Sequence, residues 1–399
     1  MRGCGFCHSA QNSVGDRKTS FDPDLRAQLG APIIVTSYVD ARAVLASASA
    51  HVPADLPPPR YDGVGALDSI VRRGFFLRSL WMWGCDGDRR LARRKAAATA
   101  LGPESLAHLS PYLEIRAAEL LHAAGPACEV DLVADFARPL VRDGLMELFG
   151  IDPCDRAPLE AQVGAMAGFI PGGAIGGTAR YFALAAVANV LEKVWARPLP
   201  PRAAASRVLH AAVEDGALSL DEALAQATLL LFGNSYTTLD ALSGMLGRLA
   251  ERPRHWHGAR NGSNSVAGLV EEGLRLGPPV NLTLFRDAVG EIRCPGGTIP
   301  AGARIVLPLD RLNRDASAFP RGDTFEPDRA GAPHLAFGAG RHMCVGLHLA
   351  RLVLRTGIET LLACLPEWPC GTKITRASGI LGGPGVTVLT LPAGALQPC

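Results

Sequence analysis

Cys344 stands where a glycine-punctuated stretch, Phe337-Gly338-Ala339-Gly340, gives way to a run with apolar residues at helical spacing: Leu347, Leu349, Ala350, Val353 and Leu354. A sulfur at such a junction has helix N-terminal amides aimed near it, which favours the thiolate over the thiol. It can serve as a nucleophile or a metal ligand, or be a buried thiol with no reaction to perform. No Ser/His/Asp or Cys/His arrangement is evident, and zinc would require more ligands than the nearby His342. A lone thiolate that needs no protein co-ligand points to haem, whose porphyrin supplies four nitrogens and leaves an axial position to the protein.

A second stretch with reactive side chains is "LLLFGNSYTTLDAL", where Gly233, Asn234, Ser235, Tyr236, Thr237 and Thr238 interrupt an apolar run. The capping box Ser219-Leu220-Asp221-Glu222 opens a helix that runs from Leu220 to about Glu251, just before Pro253. At 1.5 Å per residue it is about 48 Å long and crosses a whole domain. Glycine and hydroxyls in its middle weaken or bend it, so they mark either a functional placement or a tolerated kink. A third pattern, Cys4-Gly5-Phe6-Cys7-His8, spells the covalent c-type haem attachment motif. It lies in a loose leader, residues 1–20, without an export signal, and is read as a chance match.

The elements that must position these residues are mostly helical from Asp40 to Ala250, after a short strand over Pro32-Ile33-Ile34-Val35-Thr36. Beyond Gly277, "VNLTLFRDAV", "GGTIPAGARIVLPL" and "VTVLTL" read as short strands between turn residues. No fixed-period repeat and no linker divides the chain, so residues 21–399 are expected to form one domain, mainly α with a small β region. At 399 residues and 48% hydrophobic, it can bury a large core. Its 40 basic and 38 acidic residues balance without a long single-sign run, so nothing calls for nucleic acid. The arginine-rich "DRRLARRK" leaves room for a local anionic partner. The most apolar region, 165–191, is broken by Pro171-Gly172-Gly173, Gly176-Gly177 and Arg180, so no membrane span is expected. Ten scattered cysteines fit a reduced, cytoplasmic setting.

The stretch from Phe337 to Gly346 fills every fixed position of Phe-Gly-x-Gly-x-(His or Arg)-x-Cys-x-Gly and resembles the cytochrome P-450 haem-binding signature. Glu272-Gly273-Leu274-Arg275 matches that family's Glu-x-x-Arg pair, whose side chains share a helix face. Phe325-Glu326-Pro327-Asp328-Arg329 is similar to the segment whose arginine joins the pair, and Asn313-Arg314-Asp315 resembles a short motif of bacterial relatives. The resemblance runs from about Asp22 to the end. It implies a single triangular domain with a long central helix over the haem. It also implies haem b bound non-covalently, Cys344 as the axial ligand, and dioxygen activation by a monooxygenase or oxidase. Glycines such as Gly338 and Gly346 let the loop that includes Phe337 approach the porphyrin closely, and amides after Cys344 can tune the sulfur. His342 matches the family's propionate contact and Arg286 its strand arginine.

Two segments depart from the family pattern. "WGCDGDRRLARR" only loosely resembles Asp-Pro-Pro-x-His-x-x-x-Arg. Aligned on Arg93-Arg94 it puts Arg89 and Arg93 at the propionate positions; aligned on Asp86 it selects Arg90 and Arg94. The central helix of the family reads (Ala or Gly)-Gly-x-(Glu or Asp)-Thr, an acid and an alcohol that deliver protons. In the simplest alignment Gly233 is the glycine, Ser235 replaces the acid and Tyr236 the threonine, with Thr237 and Thr238 just beyond. Ser235, Tyr236 and Thr237 are therefore the candidate catalytic residues, with water or the substrate able to complete a relay.

The resemblance also marks Val280, Asn281, Leu282, the tip at Ile380-Leu381, and Phe76 with its neighbours Phe75 and Leu77 as pocket positions, beside Gly233. They are apolar with one amide and suit a compact aromatic or peptide-like guest. Pro171 to Gly177 falls where relatives have a mobile lid loop. Electrons are expected from a ferredoxin and its reductase, and the protein is expected to be a monomer. The implied function is hydroxylation of a small molecule in bacterial specialised metabolism. The altered relay keeps oxidative C–C, C–N or C–O coupling of an aromatic or cyclic-peptide substrate, without oxygen insertion, as an alternative. A haem-bearing binding or recruitment module without turnover is a third possibility.

Overall fold

The computed structural model describes residues 32–52, 66–124, 129–169, 177–280, 285–369, 371–378 and 384–397. The leader with Cys4 and Cys7, residues 171–176 of the lid stretch, and Asn281, Leu282, Ile380 and Leu381 lie outside them. The described chain begins with β1 (Ile33–Ile34), α1 (Tyr38–Ala46) and β2 (Ala50–His51). Helices α2 (Ala66–Ser79), α3 (Asp88–Ala100) and α4 (Pro103–Ala124) lead to β3 (Val130–Asp131). Then come α5 (Arg138–Leu148), α6 (Pro153–Ala165), α7 (Ala179–Trp195), α8 (Ala204–Glu214) and the long α9 (Leu220–Ala250). Helices α10 (Pro253–Arg260) and α11 (Val266–Leu276) precede four short strands: β4 (Arg286–Ala288), β5 (Ile292–Cys294), β6 (Gly297–Ile299) and β7 (Arg304–Val306). The chain closes with α12 (Leu309–Leu312), α13 (Leu347–Cys364), β8 (Lys373–Ser378) and β9 (Pro384–Leu391).

The largest sheet has the order β1-β7-β4-β2, with β1 parallel to β7 and the other pairs antiparallel. A second sheet, β3-β9-β8, and the β5-β6 hairpin are antiparallel. Between α1 and the first sheet lies a small core containing Ile299, Ile305 and Phe319, with Tyr38 meeting Phe319 edge-on at 5.3 Å. The larger core surrounds α9, whose Ala and Leu rows are buried almost all round, as expected of a helix packed on every side.

Two local features mark α9, a 31-residue helix. Its N-terminus carries the expected capping box: Glu222 N–H donates to Ser219 Oγ at 3.2 Å and Ser219 N–H to Glu222 Oε2 at 2.9 Å. In its middle, polar side chains bond carbonyls one turn back. Asn234 Nδ2 donates to Leu230 O (2.9 Å), Ser235 Oγ to Leu231 O (2.6 Å) and Thr237 Oγ1 to Gly233 O (2.6 Å). The helix runs unbroken through this stretch. Among the described cysteines, Cys85, Cys154, Cys294 and Cys344 are free, while Cys364 is disulfide-bonded, so the expectation of a wholly reduced set fails there. Among the described residues no helix is long and apolar enough to cross a membrane.

Candidate haem-thiolate site

The cysteine loop is fixed by its backbone. Cys344 N–H donates to Phe337 O at 2.9 Å and Gly338 N–H to Leu335 O at 2.8 Å, folding the chain into one 3-10 turn at Gly340–His342. Gly340 has φ +68°, and a Cβ there would come 2.1 Å from the Leu45 carbonyl of α1. At Gly346 a Cβ would come 2.1 Å from Asn234 Oδ1 of α9. Any side chain at either position would therefore push the loop off its neighbour. The sulfur of Cys344 is ringed by protein yet accessible, because it opens onto an internal cavity. Burial pushes the free thiol's pKa up. The Gly346 amide, Arg94 and Arg351 oppose that push, and a bound metal cation would favour the thiolate further.

Behind the loop, Glu272 and Arg275 form the expected pair in bidentate geometry, Nε to Oε2 and Nη2 to Oε1 both at 2.7 Å. Arg329 Nε joins Glu272 at 3.3 Å and Glu326 N–H donates to it at 2.8 Å. Arg275 Nη1 also donates to the carbonyls of Asn313 (2.7 Å) and Gly322 (2.6 Å), so this buried charge is fully engaged. Asn313 Oδ1 in turn accepts from Leu335 N–H at 2.7 Å, at the start of the cysteine loop.

The cavity above the sulfur has a volume of about 320 Å³ and mostly apolar walls. One rim carries Arg90, Arg94, Arg286 and His342. Burial and neighbouring cations lower the pKa of Arg286 to about 10. The same causes, burial with Arg286 and Arg90 close by, lower that of His342 to about 4, against the pull of Asp86. His342 Nε2 lies 3.1 Å from Asp86 Oδ1. The propionate register that selected Arg89 and Arg93 is corrected. Both arginines turn the other way and bond Glu222, Arg89 Nε at 3.0 Å and Arg93 Nη2 at 3.0 Å. Residues four apart share a helix face, so Arg90 and Arg94 look into the cavity together while Arg89 and Arg93 fasten α3 to α9. Burial alone would raise Glu222, but the Ser219 amide and these two guanidinium groups hold its carboxyl below the usual range. A single sulfur, a cationic rim and apolar walls form a donor set that fits haem, an apolar disc with carboxylates along one edge.

On the α9 wall, Gly233, Asn234, Thr237 and Thr238 line the cavity. Ser235 does not. It faces a small void on the other side of α9, shared with Arg138, Arg142 and Glu160. Tyr236 borders both spaces, and its hydroxyl lies so close to Gly164 that a Cβ there would be 2.4 Å away. The expectation that Ser235 replaces the relay acid is therefore corrected, because its side chain does not reach the cavity. A register shifted by one residue would put Asn234 at the glycine's place, Tyr236 at the acid's and Thr237 at the alcohol's, and all three line the cavity.

Of the pocket candidates, Gly233 and Val280 line the cavity. Phe76 is 49% exposed on the surface, Phe75 packs on Tyr181 and Leu77 is in the core, so these three are corrected. Their helix ends before the cavity, and the turn after it supplies Met82 and Trp83 instead, joined by Phe169 and Phe232. The aromatic density of "WMW" was the available signal for the first two.

The cytochrome P-450 family model matches residues 196–364. A cytochrome P-450 monooxygenase of Streptomyces sp. (strain C5), DoxA, is 30% identical over 371 residues, covering 86% of this chain and 84% of that protein. The chain belongs to the cytochrome P-450 family. The erythromycin C-12 hydroxylase of Saccharopolyspora erythraea is also 30% identical, over 70% of this chain and 71% of the hydroxylase. Among solved structures, P450BioI in complex with an acyl carrier protein ligated to hexadec-9Z-enoic acid superposes with a TM-score of 0.79 at 24% identity. That match spans 91% of this chain and 92% of the other. This cytochrome P-450 is accordingly an oxidoreductase of the monooxygenase class, and the family implies a haem-thiolate cofactor.

Proposed function

We propose that this cytochrome P-450 hydroxylates a small organic molecule in bacterial specialised metabolism, with haem b held non-covalently by a single domain, residues 21–399. The observation that carries the proposal is that Cys344, Thr237 and the cationic rim of Arg90, Arg94, Arg286 and His342 all border one cavity. When bound, haem supplies the activation of dioxygen that the family uses. The protein's part is to hold, orient and protonate. Arg90, Arg94 and Arg286 pair with the cofactor's carboxylates, and His342, held by Asp86, lines the same part of the cavity. The Gly346 amide donates to the Cys344 sulfur, which restrains its electron release. Apolar walls exclude water and orient the guest. Thr237, whose hydroxyl is held by the Gly233 carbonyl at 2.6 Å, can pass a proton toward the reacting side of the cavity.

A ferredoxin and its reductase are the proposed electron donors. Support for the metabolic role comes from the relatives, which include a DoxA monooxygenase and an erythromycin hydroxylase. The coupling alternative rested on the missing acid–threonine pair; Thr237 on the cavity wall supplies an alcohol, which supports hydroxylation as the first reading, while the acid's place is still held by Tyr236. The reduced carbonyl complex should show the red-shifted band of the family, and Cys344→Ala should abolish it. Product formed under labelled dioxygen should gain one labelled oxygen atom. Loss of two hydrogens without label would replace hydroxylation by coupling.

A further inference from the structure

Three rings on the cavity wall, Trp83, Phe169 and Phe232, come from three separate parts of the chain and share one support. That support is Trp81, which is fully buried, is not part of the cavity wall, and donates from Nε1 to Thr228 Oγ1 at 3.1 Å. Its indole meets Trp83 edge-on at 5.1 Å and Phe169 edge-on at 5.2 Å. It stacks on Phe232 at 5.7 Å with 25° between the planes, and Trp83 meets Phe232 edge-on at 6.0 Å. Each contact has the offset or edge-to-face geometry that ring quadrupoles favour. The wall is therefore rigid before any guest arrives, and binding against it costs little side-chain entropy.

Arg78 lies outside the cavity wall, with its guanidinium 5.0 Å from the Trp81 ring, 5.4 Å from Trp83 and 5.7 Å from Phe169. A cation on aromatic faces draws π density toward itself. The parts of those rings turned to the cavity are left more electropositive, and best matched by a guest rich in π electrons. An aliphatic guest would gain nothing from this arrangement beyond area.

We propose that the substrate carries a planar, electron-rich aromatic ring that seats against Trp83, Phe169 and Phe232, with Trp81 and Arg78 as the fixed support. The proposal deepens the proposed function and rests on it.

The test uses the haem-loaded protein, first checked for the carbonyl band, and follows the Soret shift on titration with 2-naphthol and with its saturated counterpart decahydro-2-naphthol. The saturated compound is the more hydrophobic, so area alone favours it. The expected result is roughly ten-fold tighter binding of 2-naphthol, the sum of two or more ring contacts. Trp83→Leu and Phe232→Leu should each keep the carbonyl band and reduce that ratio to about two or less. Arg78→Met should leave 2-naphthol bound but erase a roughly three-fold preference for 6-methoxy-2-naphthol over 6-nitro-2-naphthol. Equal or tighter binding of decahydro-2-naphthol overturns the inference. So does a ratio that survives both ring variants, or a protein with the carbonyl band that shows no shift with either probe. A nitro compound that binds as well as the methoxy one overturns the electron-rich requirement. Absence of the carbonyl band overturns the proposed function itself, which separates the two failures.

Discussion

The two walls of the cavity are made of different materials. The cysteine wall is held by main chain, the Cys344 amide on the Phe337 carbonyl and Gly340 pressed on Leu45, and by a buried ion cluster, Glu272–Arg275–Arg329, behind it. The α9 wall is held by packing, and its polar side chains are satisfied inside their own helix, Asn234 by Leu230 and Thr237 by Gly233. The difference separates stability from chemistry. Substitutions behind the cysteine disturb structure before they reach the reaction, whereas substitutions on α9 can change the reaction while the fold stands.

The largest effect should follow from breaking the cysteine wall. Glu272→Ala leaves Arg275 buried at 2% exposure without its bidentate partner, and should cost about 3–5 kcal/mol in urea unfolding. Retention of wild-type stability would erase the distinction between the walls. On the other wall, Thr237→Val should leave the carbonyl spectrum and unfolding midpoint nearly unchanged, yet cut product formed per NADPH consumed by roughly ten-fold or more. Ser235→Ala should leave that ratio within about two-fold of wild type, because its hydroxyl faces away from the cavity. The reverse ranking would restore the unshifted register.

A smaller effect compares the two faces of α3. Arg90→Gln and Arg94→Gln should each speed transfer of haem to apomyoglobin by about ten-fold, the loss of one charge-assisted hydrogen bond. Arg89→Gln, with its side chain 63% exposed, should not change that rate. The smallest effect is electrostatic. Burial would raise the Glu271 carboxyl, but hydrogen bonds from Arg351 and His334 outweigh it and hold the pKa at about 2, below the ordinary 4.5. A lowered pKa contributes stability that is complete above the unfolded value and fades as pH falls toward the folded one. The stability gap between wild type and Arg351→Gln should therefore be widest near pH 6 and shrink between pH 4.5 and pH 3. Because the pair is partly exposed, the gap should not exceed about 1 kcal/mol.

The cysteine wall was legible in the sequence because its geometry admits few residue types. Positive φ at Gly338 and Gly340, and close approach at Gly346, leave glycine little competition, so the spacing survives as a readable string. The long helix was legible from its capping box and apolar run almost to the residue. What could not be read was rotation. A one-residue shift turns a side chain by about 100° on a helix, enough to move the alcohol from Tyr236 to Thr237 and the rim from Arg89 and Arg93 to Arg90 and Arg94. Only neighbouring elements decide that angle: Gly164 takes the Tyr236 hydroxyl, and Glu222 takes Arg89 and Arg93. The aromatic wall was harder still, since Phe169 and Phe232 meet Trp81 through contacts between distant segments.

The parallel pairing of β1 with β7 has a consequence for how the molecule is made. Ile33 lies beside Ile305, about 270 positions later in the chain. During translation at roughly 5–20 residues per second, β1 leaves the ribosome about 15–55 s before its partner exists. Throughout that interval its edge is open to any passing strand, and α1 waits without the sheet that it will cover. The first sheet can therefore close only after β7 is made, so products truncated or stalled before it should be the aggregation-prone species and the natural clients of chaperones.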